Sequence, residues 1–221
     1  MDNITFEDIK NSEEIKTYIR QSDISLLALG YTEHSFTHVM RCTDLASRWL
    51  IQLGYSEREA ELARMAGYMH DIGNLVNRTN HAQSGALMAF SILSRMGLPA
   101  AEVANVVTAI GNHDEETAFP VSAISAALIL ADKTDVRRSR VRNSETVSFD
   151  IHDRVNFAVT KSTTLLNPDS KSFTLSLEID TDLSSAADYF EIFMMRMLLC
   201  RRASEYFGLR FKLIINGSVM M

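Results

Sequence analysis

Six residues of the types that bind divalent metal ions follow one another in the first two thirds of this chain. They are His38, His70, Asp71, His81, His113 and Asp132. Neutral imidazole and carboxylate groups can together ligate a divalent cation without any thiolate. Two ions held by such a set can bind a phosphate and generate hydroxide from water at neutral pH. The order His, His-Asp, His, His, Asp therefore indicates metal-assisted hydrolysis, if the fold brings the six residues together.

The elements that must position these residues are predicted to be helices. Apolar residues recur at helical spacing over about 33–53, 56–73, 82–96, 100–110 and from 121 onward. Ser56 and Glu59 form a capping box at the start of the second helix, and Gly73 ends it. His70 and Asp71 then occupy its last turn, where two adjacent side chains can act on one point. Short loops between antiparallel helices favour convergence of the remaining candidates.

The pattern changes after about Asn143. Alternation of apolar and polar residues predicts strands over about 155–159, 173–179 and 211–215, with a helix over about 185–207 before the last of them. The predicted fold is mainly α, with a helical domain over residues 1–142. A small β-β-α-β unit, of the α+β type, is predicted over residues 143–221 and packs on the helical domain.

Composition restricts the classes of function. The 221 residues are 46% hydrophobic and 23% charged, which is ordinary for a globular protein. The net charge of −6 argues against general nucleic-acid binding, which needs an excess of Lys and Arg. Cys42 and Cys200 both lie in apolar helical patterns, so we expect two buried thiols and a cytoplasmic, reducing environment.

Membrane and secretion signals are not expected either. The first ten residues lack the basic and apolar regions of a signal peptide. The longest apolar stretch, residues 189–200, contains Glu191 and Arg196 and is too short to cross a bilayer. This helix either packs inside the chain or pairs with a second copy in a homodimer.

Three sequence features carry a resemblance to a known family. His38, the Met-His-Asp-Ile-Gly run at 69–73 and the Ala-Asp pair at 131–132 resemble the signature of the HD-domain superfamily of metal-dependent phosphohydrolases. His81 and His113 resemble the two additional histidines of its dinuclear branch. The resemblance covers about residues 30–140 and implies an all-helical bundle, in agreement with the helices predicted above.

The resemblance also implies a ligand assignment. His38, His70, Asp71 and Asp132 would hold one ion, while His81, His113 and a bridging Asp71 would hold the second. The sequence does not distinguish Mn, Fe, Co, Mg, Ni or Zn as the native metal.

One position departs from the family pattern. Many phosphodiesterase members carry lysine three residues after the Asp, where this chain has Asn74, and an amide cannot neutralise a phosphate. Arg78 or Lys133 would replace that charge. The predicted substrate contacts are Asn74, Arg78, Lys133, Arg137 and His34, which shares a helix face with His38. The basic run over residues 133–142 is either a pocket wall for phosphates or a solvated face that braces the C-terminal unit.

The expected reaction is hydrolysis of a phosphoester in a nucleotide or a similar small phosphorylated metabolite. A hydroxide bridged by two ions would attack phosphorus, with Asp71 bridging the metals and Lys133 or Arg78 offsetting charge on the phosphoryl group. Asp114 is the candidate general acid, or else part of a solvated acidic loop. Two alternatives stay open: a diiron oxygenase on the same fold, and a non-catalytic, metal-stabilised module that senses a nucleotide.

Overall fold

Polar caps set the starts of the N-terminal helices. The computed structural model describes residues 4–115, 117–142 and 151–221, which fall in two compact units, Met1–Asp132 (the first unit) and Lys133–Met221 (the second unit). In the first unit, α1 (Phe6–Asn11) begins at a capping box and α2 (Glu13–Ala28) at a serine cap. The predicted domain boundary after residue 142 adjoins residues 143–150, which are outside the described residues, and it stays a prediction.

Five further helices contain the predicted ligands or end just before them. They are α3 (Phe36–Gln52), α4 (Glu57–Met69), α5 (His81–Met96), α6 (Ala100–Gly111) and α7 (Ala123–Lys133). The capping box of α4 is present: the Ser56 hydroxyl accepts from the Glu59 N–H, and the Glu59 carboxylate accepts from the Ser56 N–H. The α4 helix ends at Met69, and a short 3-10 helix, Ile72–Leu75, follows. His70 and Asp71 therefore lie at the break between the two helices.

Glycines stand where the backbones approach most closely. A Cβ atom on Gly67 of α4 would lie 2.9 Å from backbone atoms of Thr43 on α3. A Cβ atom on Gly73 would lie 1.9 Å from the carbonyl oxygen of His81 and 2.4 Å from the amide nitrogen of Gly85. Because only glycine permits these distances, the turn that carries His70 and Asp71 lies directly against the first turn of α5.

The second unit contains a four-stranded sheet. It consists of α8 (Ile151–Ala158), β1 (Val159–Asn167), β2 (Ser172–Ile179), α9 (Ala186–Tyr206), β3 (Arg210–Ile215) and β4 (Ser218–Val219). The strand order is β1-β2-β3-β4, with β2 and β3 parallel and the outer pairs antiparallel. The α9 helix makes the crossover that a parallel pair requires. The predicted mainly α fold with a small C-terminal β unit is confirmed.

One strand prediction was wrong at its start. Val155 and Phe157 lie in α8 rather than in a strand, and β1 begins only at Val159. The reason is that Val155 and Ala158 are both buried, and their spacing of three residues is that of one helix face. Three alternating apolar residues in so short a segment are compatible with both the two-residue period of a strand and the spacing of a helix face.

Among the described residues, no helix has both the length and the apolarity needed to cross a bilayer.

Candidate metal centre

The six predicted ligands converge in the first unit. All are buried, with exposed fractions between 0% for His38 and 9% for Asp132. His38 lies in the first turn of α3, His81 begins α5, His113 follows the end of α6, and Asp132 lies in the last turn of α7. Each helix therefore contributes a ligand type at or near one of its ends, as the sequence predicts.

Asp71 lies at the centre of the group and faces it with both carboxylate oxygens. Its Oδ2 is 3.2 Å from His70 Nε2 and 3.7 Å from His38 Nε2. Its Oδ1 is 3.6 Å from His81 Nε2 and 4.0 Å from His113 Nε2. One carboxylate therefore divides the histidines into two pairs, with one oxygen for each pair.

Asp132 completes the first of these pairs. Its Oδ1 lies 3.4 Å from His38 Nε2 and 3.9 Å from His70 Nε2. Two ligands of one tetrahedral ion, at bond lengths near 2.0–2.1 Å, lie about 3.4 Å apart. The distances around His38, His70 and Asp132 are therefore close to those of ligands that share an ion.

Main-chain hydrogen bonds determine which ring nitrogen faces the centre. Nδ1 of His70, His81 and His113 lies 2.8, 3.1 and 2.6 Å, respectively, from a carbonyl oxygen three residues earlier in the chain. A carbonyl oxygen only accepts, so each Nδ1 carries the proton and donates it. In a neutral ring, Nε2 then presents a lone pair, which is the arrangement found in metal-bound histidines.

This tautomer assignment places lone pairs opposite one another. His70 Nε2 and Asp71 Oδ2 are 3.2 Å apart, and His81 Nε2 and His113 Nε2 are also 3.2 Å apart. His70 Nε2 and Asp71 Oδ2 are also buried without a hydrogen-bond partner. Buried polar atoms without a partner need an explanation, such as a bound ion. A cation between the facing acceptors removes both problems, so the donor set fits divalent metal ions.

The electrostatics show that the centre needs positive charge. Burial disfavours the charged form of His70, but the carboxylates of Asp71 and Asp132, with the Gly67 carbonyl, together outweigh burial and raise the pKa of His70. Burial likewise opposes ionisation of Asp71, yet the surrounding histidines, His70 foremost, hold the pKa of Asp71 well below its usual value. Asp71 is therefore ionised at neutral pH and needs a positive partner, either a proton on His70 or a metal ion.

Asn74 contacts Asp71 instead of pointing to open space. Its Nδ2 donates to Asp71 Oδ1 at 3.0 Å and to the Asp71 carbonyl oxygen at 3.0 Å, and its side chain is 2% exposed. Both amide hydrogens are thus used. We interpret Asn74 as a residue that orients Asp71 rather than as the substrate contact expected from the sequence. Arg78 in turn donates from Nη1 to Asn74 Oδ1 at 3.3 Å.

The other predicted site residues have different environments. Asp114 Oδ1 lies 4.0 Å from His81 Nε2, with a side chain that is 20% exposed. The ring of His34 lies 5.5 Å from that of His38, and its Nδ1 bonds to the Thr32 carbonyl oxygen at 2.7 Å.

Two predicted substrate contacts belong to the second unit. Lys133 ends α7 directly after Asp132 and is buried. The Arg137 guanidinium donates to both oxygens of the buried Asp135, at 2.5 and 2.9 Å, and the Arg140 guanidinium donates to the Asp135 carbonyl oxygen. Arg137 and Arg140 of the basic run are therefore engaged with the internal residue Asp135. The roles of Lys133 and Arg137 toward a phosphate stay predictions.

Sequence reasoning missed the proximity of Cys42 to the centre. Its Sγ lies 3.8 Å from His38 Nε2, and it groups with His38, His70 and Asp132. The signal was present, because Cys42 follows His38 by four residues and so shares its helix face. Cys42 and Cys200 are both buried, as expected from the sequence.

Comparison with known proteins gives this centre a family. Residues 35–139, which include all six ligand types, match the model of the HD domain. This part of the chain is an HD domain. At the level of the superfamily, this match supports a metal-dependent phosphohydrolase, as the sequence resemblance implied.

Two relatives of this HD-domain protein extend the comparison. An uncharacterised protein of Methanocaldococcus jannaschii is 24% identical over 210 residues, which cover 85% of this chain and 79% of that protein. The crystal structure of a predicted HD superfamily hydrolase from an uncultured Thermotogales bacterium is 27% identical, with a TM-score of 0.45. That match covers 56% of this chain and 67% of the other. The HD-domain assignment of residues 35–139 rests on the match to the family model.

Proposed function

We propose that this HD-domain protein is a dinuclear metal-dependent phosphohydrolase that cleaves a phosphoester of a nucleotide or similar small phosphorylated metabolite. The observation that carries the proposal is the position of Asp71. Each of its two carboxylate oxygens faces a separate pair of histidine Nε2 atoms. That arrangement suits a carboxylate that bridges two ions.

The residues divide between the two ions as follows. His38, His70, Asp132 and Asp71 Oδ2 would hold the first ion, and His81, His113 and Asp71 Oδ1 would hold the second. When bound, such ions supply Lewis acidity toward a phosphoryl oxygen and lower the pKa of water enough for attack at neutral pH.

The remaining steps fall to side chains of the protein. Arg78 is partly exposed, and its Nη1 donates a long hydrogen bond of 3.3 Å to Asn74 Oδ1. Its planar guanidinium suits two parallel hydrogen bonds to phosphoryl oxygens. Asp114 lies at the accessible edge of the centre, next to His81. A carboxylic acid there would protonate the departing oxygen, a role that usually contributes ~10²–10⁴-fold to the rate. Lys133 is the second candidate for offsetting phosphoryl charge.

The proposal is tested with purified protein loaded with manganese, iron or cobalt. Release of phosphate or alcohol is measured across nucleoside mono-, di- and triphosphates, cyclic nucleotides and sugar phosphates. We expect turnover of at least one class, and loss of turnover in Asp71→Ala but not in Asp169→Ala, a loop aspartate of the second unit. Absence of turnover across the panel, with two ions shown to be bound, contradicts the proposal.

The same preparation separates the two alternatives. A diiron oxygenase would consume dioxygen with the iron-loaded protein and a reduced organic substrate, and would leave phosphoesters intact. A sensing module would bind a nucleotide without turnover. It would also show a larger effect of His70→Ala on the free energy of unfolding than on any reaction.

A further inference from the structure

The loop between α2 and α3, residues 29–35, holds an exposed tyrosine at a defined place beside the metal centre. Tyr31 is 44% exposed. The guanidinium of Arg78 lies over the Tyr31 ring. Its Cζ is 5.4 Å from the ring centroid, within the range of a cation–π contact. Arg78 is the residue assigned above to the phosphoryl group. An exposed aromatic ring and a phosphate-binding cation are therefore neighbours.

The backbone of Tyr31 is held by the end of α2. Gly30 adopts a left-handed conformation with φ of 81°, and the Tyr31 N–H donates to the Leu26 carbonyl oxygen at 2.9 Å. This is the hydrogen bond of a Schellman motif, in which the residue after the glycine usually packs back on its own helix. Here that residue is a tyrosine whose ring lies against Arg78. Local structure thus holds the backbone of Tyr31, and the contact with Arg78 places its ring.

The other end of the loop is joined to the metal centre. The His34 N–H donates to Asp23 Oδ1 at 3.0 Å, which ties the loop to α2. The ring of His34 then packs edge-on against that of His38, one of the proposed ligands. The loop therefore carries Tyr31 beside Arg78 and His34 beside the proposed ligand His38.

A second path connects Tyr31 to the bridging carboxylate. Arg78 contacts Asn74, and Asn74 contacts Asp71 Oδ1. Only two side chains separate the tyrosine ring from Asp71. A phosphate bound at the ions and held by Arg78 would leave the rest of its molecule near the tyrosine, within the reach of a nucleoside.

We propose that Tyr31 is a specificity-determining residue that stacks on the base of a nucleotide whose phosphate is held by Arg78 and the metal centre. A base has two π faces and stacks on tyrosine without needing hydrogen bonds. Arg78 lies on one face of the Tyr31 ring. The base would stack on the surface of the ring that stays exposed. This inference rests on the proposed function for the position of the phosphate, and it adds the recognition of the base.

The test compares two probes that differ only in the base. Adenosine 5′-monophosphate (AMP) and ribose 5-phosphate carry the same phosphate, and their dissociation constants are measured by calorimetry on the metal-loaded full-length protein. We expect AMP to bind about 10- to 100-fold more tightly, the factor that base–aromatic stacking provides. Tyr31→Ala should abolish most of this preference, and Tyr31→Phe should keep it. Arg78→Met should weaken binding of both probes.

Tyr206→Ala is the matched control. Tyr206 is also 44% exposed but lies at the end of α9 in the second unit, so its loss should leave the AMP preference unchanged. Equal binding of the two probes to the wild-type protein overturns the inference, as does a preference that survives in Tyr31→Ala. Hydrolysis on the phosphoester panel is scored separately. Hydrolysis without a base preference overturns the role of Tyr31 alone, whereas a base preference that depends on Tyr31 without any hydrolysis overturns the reaction alone.

Discussion

The interaction between Asn74 and Asp71 provides a quantitative test of how the centre is assembled. We consider Asn74→Leu, which keeps the volume of the side chain and removes its donor. Asp71 Oδ1 then loses the only side-chain hydrogen bond that is described for it, whereas the Asp71 carbonyl oxygen still accepts from the Asn74 N–H at 3.1 Å. Arg78 Nη1 also loses its bond of 3.3 Å to Asn74 Oδ1, but Arg78 is partly exposed and can bond to water instead. The main loss is thus one hydrogen bond to a buried, ionised carboxylate.

The size of the effect follows from that single hydrogen bond. A hydrogen bond to a charged group contributes about 1.5–3 kcal/mol, so the metal-free variant should lose about that much free energy of unfolding. Groups that orient metal ligands typically contribute 10- to 100-fold to metal affinity, which is about 1.4–2.7 kcal/mol. We expect this decrease for the ion bound by Asp71 Oδ1, since that oxygen loses its support.

The assays are urea unfolding of the metal-free protein and calorimetric titration with Mn²⁺. The control is Asn156→Leu in α8, because Asn156 is also buried and its Nδ2 donates to a main-chain carbonyl oxygen at 2.8 Å. Asn156→Leu should cost about 0.5–1.5 kcal/mol of stability and leave Mn²⁺ affinity unchanged. If the Mn²⁺ affinity of Asn74→Leu is within twofold of that of the wild type, Asn74 does not orient Asp71.

Three further predictions address other parts of the first unit. Gly73→Ala should destabilise the protein by more than about 4 kcal/mol or prevent folding, because its Cβ would lie 1.9 Å from a backbone oxygen of α5. Gly111→Ala is the control, since its Cβ would lie an ordinary 3.5 Å from its nearest neighbour; equal urea midpoints for the two variants would refute the argument. Hydrogen bonds from Arg58 lower the pKa of Glu102 below its usual 4.5, so this carboxylate stabilises the fold above that pH and stops doing so as the pH falls through its folded-state pKa. Glu102→Gln should therefore show a shallower loss of stability in acid, and an unchanged acid profile would count against the ion pair. Asp114→Asn should lower kcat by ~10²-fold or more with an unchanged metal content; an unchanged kcat would remove Asp114 as the general acid.

Much of the first unit was predictable because its signals are local. The capping box at Ser56 sets the start of α4, whereas the helix ends at Met69, before the predicted end at Gly73. The convergence of His70 and Asp71 with the other candidates follows from short connections between helices, which return the chain to the same end of the bundle. The six ligand types therefore meet as the sequence order predicted, while their occupancy by metal stays a prediction.

The features that sequence reasoning missed depend either on how the chain folds back on itself or on local patterns that are ambiguous in sequence. Asn74 could be seen as a departure from the family pattern, but its partner is apparent only when the turn folds back on Asp71. The start of β1 was misplaced because Val155 and Phe157 satisfy an alternating period over too few residues to exclude a helix. The pairing of Arg137 with Asp135, two residues earlier, was likewise hidden within a run that appeared uniformly basic.

The central claim is a dinuclear centre bridged by Asp71, and metal stoichiometry tests it most directly. Protein purified without added metal is subjected to elemental analysis alongside His81→Ala, His113→Ala and the control His152→Ala, an exposed histidine on α8. Two ions per chain are expected in the wild type and in the control, and one ion in each of the other two variants. An unchanged metal content in His81→Ala and His113→Ala, or a single ion in the wild type, would contradict the claim.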